Sequence, residues 1–132
     1  VDIKRDIEEQ DDIEKILQAF YGKAIKDTHI GHFFTEVVLL DLEQHLPHIT
    51  AFWTSVLWQT HSYQKNVMQV HQHIHQLSHI KKAHLERWVA LFTQTIDALY
   101  EGPRATLMKQ RAVSIATLMD IKLNHPTINK IS

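Results

Sequence analysis

The stretch Leu42-Glu43-Gln44-His45-Leu46-Pro47-His48-Ile49-Thr50-Ala51-Phe52-Trp53-Thr54-Ser55-Val56-Leu57-Trp58-Gln59 decides the fold class. Leu42, His45, Leu46, Ile49, Phe52, Trp53, Val56 and Leu57 recur at i, i+3, i+4 and i+7, the spacing that gathers side chains on one face of an α-helix. Pro47 interrupts this pattern. Its missing N–H is tolerated in the first turn of a helix but kinks the chain further in. The helix is therefore expected to start near Gln44 or to kink just after His45. Both options leave the His45 imidazole on the apolar stripe, close to a helix start or a bend, where it can project into a cavity.

A second stretch, Asn66-Val67-Met68-Gln69-Val70-His71-Gln72-His73-Ile74-His75-Gln76-Leu77, repeats the situation. A wheel at about 100° per residue groups Val67, Val70, Ile74 and Leu77, with His71 in the middle of that face, His75 on its flank and His73 on the opposite side. Asn66 is placed to cap this short helix. An imidazole centred in an apolar stripe is either a core histidine satisfied by a hydrogen bond or a ligand to something that fills the core.

Outward from these two stretches the chain keeps the helical period. Asp11 or Asp12 can cap a first helix running to about Lys26, with Ile13, Ile16, Leu17, Phe20, Tyr21 and Ala24 as its inner face. Tyr21 faces inward, and its hydroxyl needs a partner there. Asp27 to Gly31 reads as a turn, and of the adjacent Phe33 and Phe34 one is expected to enter the core. His61 to Lys65 reads as a loop, and Ser78 to Lys82 breaks the pattern again. From about Ala83 to Tyr100, Leu85, Trp88, Leu91, Phe92, Thr95, Ile96 and Leu99 form a further stripe. Gly102 stops that helix and Pro103 starts the last one. The last helix runs to about Leu123, with Ala105, Met108, Ala112, Ile115, Ala116, Met119 and Leu123 inward. The pattern predicts one all-helical domain over residues 1–132, with its core over about 7–123 and a frayed tail over 124–132.

Composition agrees. The 132 residues are 44% hydrophobic and 22% charged with net charge −1, neither the basic excess of a nucleic-acid binder nor the imbalance of a disordered chain. Three glycines and three prolines suit long helices better than strands and turns. The absence of cysteine removes disulfides, thiolate metal sites and cysteine nucleophiles. No apolar run approaches the roughly 18 residues of a membrane span, and the charged start is no signal peptide, so a cytoplasmic location is the default. The first residue is not Met, which fits a trimmed start. Eleven histidines are a large excess for this length and raise the expectation of a metal.

Tyr21, His45 and Trp88, on three different helices, and His71 on a fourth thus face one small core. Each needs a hydrogen-bonding solution in an apolar interior, and a shared polar ligand would satisfy several at once. A histidine-rich zinc site is one alternative, since His71, His75 and His79 are spaced by four. It lacks a His-Glu-x-x-His pattern, cysteine and a clear carboxylate on the same face. No nucleophile elbow or phosphate-binding glycine loop is present. A structural or interaction bundle without a cofactor is the other alternative, although the stripes look like ordinary core.

At this point the residues resemble a known family, the truncated haemoglobins of group III. Phe20-Tyr21 is similar to that group's inward tyrosine. His45-Leu46-Pro47 followed by Phe52-Trp53 and Leu57 resembles its distal-helix signature, proline included. Tyr63, with His71 eight residues on, resembles the approach to the proximal histidine. His84 to Phe92 is similar to the next helix, with its pocket tryptophan at Trp88. Gly102 and Lys109-Gln110-Arg111-Ala112 to Met119 match the last one. The resemblance covers about Ile7 to Lys122. The chain departs from it at Leu85, where the family often has Phe, and at Lys65-Asn66-Val67, where Gly-Asn-Pro is common. The glycine pairs of the first two truncated groups are absent.

The resemblance implies a truncated globin fold around haem b, with His71 as the iron ligand. Phe34, Ile49, Phe52, Trp53, Val67, Met68, Val70, Ile74, Phe92 and Met119 would line it. Tyr21 and Trp88 would donate to O2, NO or CO, and His45 would gate entry, bond the ligand or coordinate iron. Strong donors slow ligand release, which favours redox chemistry on O2, NO or peroxide, of the NO dioxygenase or peroxidase kind, over bulk oxygen transport. Such chemistry needs a reductase, which the sequence does not identify; neither nucleic acid nor a membrane is an expected partner.

Overall fold

The helices are held in register by aspartates that tie distant parts of the chain together. The computed structural model describes residues 3–60 and 67–125. The expected cap at Asn66, the loop from His61 to Lys65, Tyr63 and the tail beyond His125 lie outside these residues. Five α-helices are described: α1 (Gln10–Ala24), α2 (Leu42–Trp58), α3 (Val67–Leu77), α4 (Lys82–Leu99) and α5 (Pro103–Asn124), with a π-turn at Phe33–Val37. α1 packs on α2 and α4, and α5 packs on α4 and α2, so four helices close a ring. α3 stands outside that ring, against α5 and the π-turn. No helix among the described residues is long and apolar enough to cross a membrane.

The inner faces read from periodicity become the core. Ile13, Ile16, Leu17, Phe20, Tyr21 and Ala24 of α1 are all buried, as are Ala105, Met108, Ala112, Ala116, Met119 and Leu123 of α5. At the centre Phe92 lies between the indoles of Trp53 and Trp88, stacked at 5.3 Å on each side, and Phe20 meets it edge-on at 5.2 Å. Offset stacks and edge-on contacts are the favoured aromatic geometries, so α1, α2 and α4 are pinned at one point.

Several local expectations are corrected. Glu9, not Asp11 or Asp12, is the N-cap of α1, and the helix ends at Ala24 instead of Lys26. Asp12 sits at the third helical position and is fully buried. Its carboxylate accepts from Arg5 Nη1 and Nη2 at 2.8 and 2.7 Å, from the amides of Glu8 and Glu9, and from the Tyr100 hydroxyl at 3.0 Å. α2 begins at Leu42, capped by Asp41, so Pro47 falls inside the helix and leaves the Glu43 carbonyl without its usual i+4 amide. Leu77 and Leu99, expected inward, are 60% and 40% exposed, since each ends its helix where no element among the described residues covers it.

The stop between α4 and α5 is enforced by contact as well as by conformation. Gly102 has φ of +153°, and a Cβ there would lie 2.5 Å from Asp6 Cβ and Cγ. Asp6 occupies that space because its carboxylate accepts from the amides of Arg104 and Ala105, capping α5 from the far end of the chain.

The Arg5 guanidinium foremost, with the amides and the Tyr100 hydroxyl, holds the Asp12 carboxyl far below the ordinary carboxylate range. A depressed folded-state pKa adds stability that is present above about pH 4 and lost as pH falls below it. Asp12→Ala strands the Tyr100 hydroxyl and two amides; with Arg5 half exposed, the expected loss is about 2–4 kcal/mol. Urea unfolding at pH 7 measures it, and the difference from wild type should shrink in acid.

Candidate functional site

α1, α2, α4 and α5 do not fill the space between themselves and α3. An apolar cavity of about 280 Å³ remains. Protein interiors hold few voids larger than a water molecule, and a void this size with apolar walls is no packing defect.

α2 turns His45, Ile49, Phe52 and Trp53 to this cavity, and α3 turns Val67, Val70, His71 and Ile74 to it. Tyr21, Phe34, Trp88 and Met119 complete the sequence-predicted set that the fold brings together. Two predicted members are placed elsewhere. Phe92 lies one layer behind, stacked on Trp88, and Met68 is partly buried against the core beside the cavity.

The wall also contains residues that sequence reasoning missed: Ile30, Phe33, Val38 and Leu40 before α2, Ile80, His84 and Leu85 after α3, and Ile115 on α5. Phe33 and Phe34 both reach it, where only one was expected to enter the core. The reason is the π-turn, in which the Val38 amide donates to the Phe33 carbonyl at 3.0 Å. Its i→i+5 pairing rotates the chain less per residue than an α-helix, so adjacent side chains stand closer in direction. Leu85 and Ile115 were already on predicted inner stripes and could have been included. Nothing in the local pattern marked the π-turn or His84.

The titratable groups divide between two sides. On one, the Tyr21 hydroxyl and His45 Nε2 are 3.1 Å apart and their rings meet edge-on. Burial pushes the Tyr21 phenol well up, so it keeps its proton. Burial, then the charges of His48 and His71, hold His45 below its ordinary value. Between a neutral phenol and a neutral imidazole one proton is shared out. Either Tyr21 donates to His45 Nε2, or His45 in its Nε2–H form donates to the phenol oxygen and frees the Tyr21 proton for the cavity.

On the other side, His71 Nδ1 lies 2.8 Å from the Val67 carbonyl. A carbonyl only accepts, so Nδ1 must carry the proton. The neutral ring then has its lone pair on Nε2. Burial lowers the His71 pKa, with the Val67 bond opposing it. No protein partner for Nε2 is found among the described residues.

The neighbouring histidines differ. His75 Nδ1 accepts the Ile80 amide at 3.0 Å and finishes α3; the residue does not line the cavity. His73 is exposed, and His79 Nε2 pairs with Asn124 Oδ1 at 2.8 Å. Among the described residues no three His, Asp or Glu groups could hold a metal ion, which leaves the zinc alternative without a donor set. α3 itself buries no residue, and Val70 is 57% exposed although it borders the cavity. Val67, Met68 and Ile74 are only partly buried against the core, so this amphipathic helix has less of the burial that normally stabilises such a helix.

No family model matches the chain. Over 111 residues it is 26% identical to the group 3 truncated haemoglobin of Campylobacter jejuni, covering 82% of this chain and 85% of that one. Among solved structures it is similar to the crystal structure of the group III truncated haemoglobin from Campylobacter jejuni, with a TM-score of 0.77 at 25% identity over 92% of this chain and 95% of that one. In both sequence and fold, over most of its length, the chain is similar to the group III truncated haemoglobins.

Proposed function

We propose that this chain is a single globin domain that holds haem b in the apolar cavity through His71 and acts on O2 and related diatomic ligands. The observation that carries the reading is the fixed tautomer of His71, whose Nδ1–H is committed to Val67 and whose Nε2 lone pair is left available. That is the form an imidazole would need to hold an iron, with a carbonyl orienting the ring. The walls fit the group too: they are largely apolar, and the α3 residues that border the cavity are only partly buried. Haem would supply an iron that binds O2, NO and CO and exchanges single electrons.

The chain's own residues then divide the work. Val67, Val70 and Ile74 cover the cavity on the His71 side, while Ile49, Phe52 and Trp53 exclude water on the side of Tyr21. Tyr21 and Trp88 are the donors available to a polar diatomic ligand. His45 decides through its tautomer whether the Tyr21 proton is free to be given, and could also gate entry or reach the iron itself. Two such donors favour retention of the ligand over release. This supports redox chemistry on O2, NO or peroxide ahead of bulk transport, with a reductase as the partner such chemistry requires.

Haem titration of the purified chain should give a Soret band and, after reduction, a CO complex; a chain that takes up no haem overturns the reading. His71→Ala should abolish that uptake or remove the spectral signature of histidine ligation, whereas loss in His75→Ala alone would move the ligand to the other histidine. Tyr21→Phe should speed O2 release by roughly 10- to 100-fold in stopped-flow measurements, the worth of a hydrogen bond to a charged or strongly polar acceptor. The lowered His71 pKa means the neutral ring contributes its stability fully above pH 6.5 and loses it as pH falls through the folded-state value. Haem loss, followed by the Soret band, should therefore set in only below pH 6.5.

A further inference from the structure

Three histidines border the apolar cavity. His71 offers a lone pair and His45 pairs with Tyr21; the third, His84, lies half-buried at the start of α4 and has no part in either arrangement. No lysine, arginine, aspartate or glutamate among the described residues lines the cavity.

His84 has a fixed tautomer of its own. Its Nδ1 accepts the Lys81 amide at 2.9 Å. An amide only donates, so Nδ1 carries the lone pair and the neutral ring holds its proton on Nε2. This is the reverse of His71, whose Nδ1 carries the proton. His84 thus supplies a hydrogen-bond donor where His71 supplies a lone pair. No protein acceptor for that Nε2–H is found among the described residues. Aromatic neighbours hold the ring, with the His32 ring 5.7 Å away and Phe33 edge-on at 5.0 Å. Burial foremost, then the charges of His32, Lys81, His79 and His29, hold His84 below its ordinary value. Every charge in that set is basic, so the ring stays neutral near pH 7 in surroundings that favour an anion.

We propose that His84 anchors one propionate carboxylate of the bound haem, its Nε2–H donating to a carboxylate oxygen at the edge of the cavity. The inference rests on the haem reading and adds to it the group that receives the cofactor's charged edge. Haem brings two carboxylates that cannot enter an apolar space unpaired, and a donor bonded to a carboxylate makes a stronger bond than one between neutral groups. Lys81 contributes twice, through the amide that sets the tautomer and through its own charge.

Haem loss from the reconstituted full chain to excess apomyoglobin tests it, with haem and with haem dimethyl ester, which has no carboxylate. His84→Gln and His84→Glu both keep a side-chain oxygen to accept the Lys81 amide, the role of Gln or Glu at this helix position, but only the carboxamide keeps a donor. His84→Glu should speed haem loss by roughly 10-fold or more, while His84→Gln should retain haem nearly as long as wild type. With the dimethyl ester the gap between wild type and His84→Glu should close. Far-ultraviolet circular dichroism of each variant separates a lost anchor from a lost fold. Equal rates of haem loss in wild type and His84→Glu overturn the anchor, as does an equal acceleration with haem and its ester, which would be a structural effect. Either result leaves the haem reading standing, whereas a chain that takes up no haem at all overturns both.

Discussion

An apolar cavity that the chain's own side chains leave open is the constraint on which the architecture depends. Close packing normally supplies the last few kcal/mol of stability, and here it is absent where six segments of the chain converge. The ring of α1, α2, α4 and α5 is well packed without that space, through the Trp53–Phe92–Trp88 stack and the edge-on Phe20. α3 is not: it borders the void and buries none of its residues. The side of Tyr21 and His45 is therefore the better packed one, and the element carrying His71 the least buried.

The two sides of the cavity use the same side chain in opposite ways. His71 is locked by a backbone carbonyl into one tautomer, which fixes the nitrogen that carries the lone pair. His45 is paired with a phenol that can donate or accept, so either of its tautomers is satisfied. A group meant to hold one bond permanently gains from the first arrangement. A group that must adjust to ligand arrival gains from the second, because the proton can change hands without leaving either partner unpaired.

Aspartates carry the long-range order. Asp12 joins Arg5 to Tyr100, Asp6 caps α5, and Asp27 accepts from Arg87 Nε and Nη2 at 2.9 and 2.8 Å while closing its own turn through the amides of His29 and Ile30. The Arg87–Asp27 pair fixes the turn before the π-turn against α4, on the wall where Ile30 and Phe33 border the cavity. Position at the site is thus set partly by charged groups that never touch it.

The sequence by itself determined the helices, their inner faces and the place of His71, because each depends on a repeat of three to four residues that is visible along the chain. His45, Tyr21 and Trp88 were legible as inward-facing for the same reason, and all three line the cavity. Other features depend on partners remote in sequence. Asp12 read as a cap, yet its hydroxyl partner is 88 residues away, and Asp6 reaches an amide 99 residues on. The π-turn that admits both phenylalanines, the tautomer of His71 and the exposure of Leu77 likewise had no signature in periodicity. Period reports which way a side chain faces on its own helix; only tertiary packing decides whether anything stands opposite to receive it.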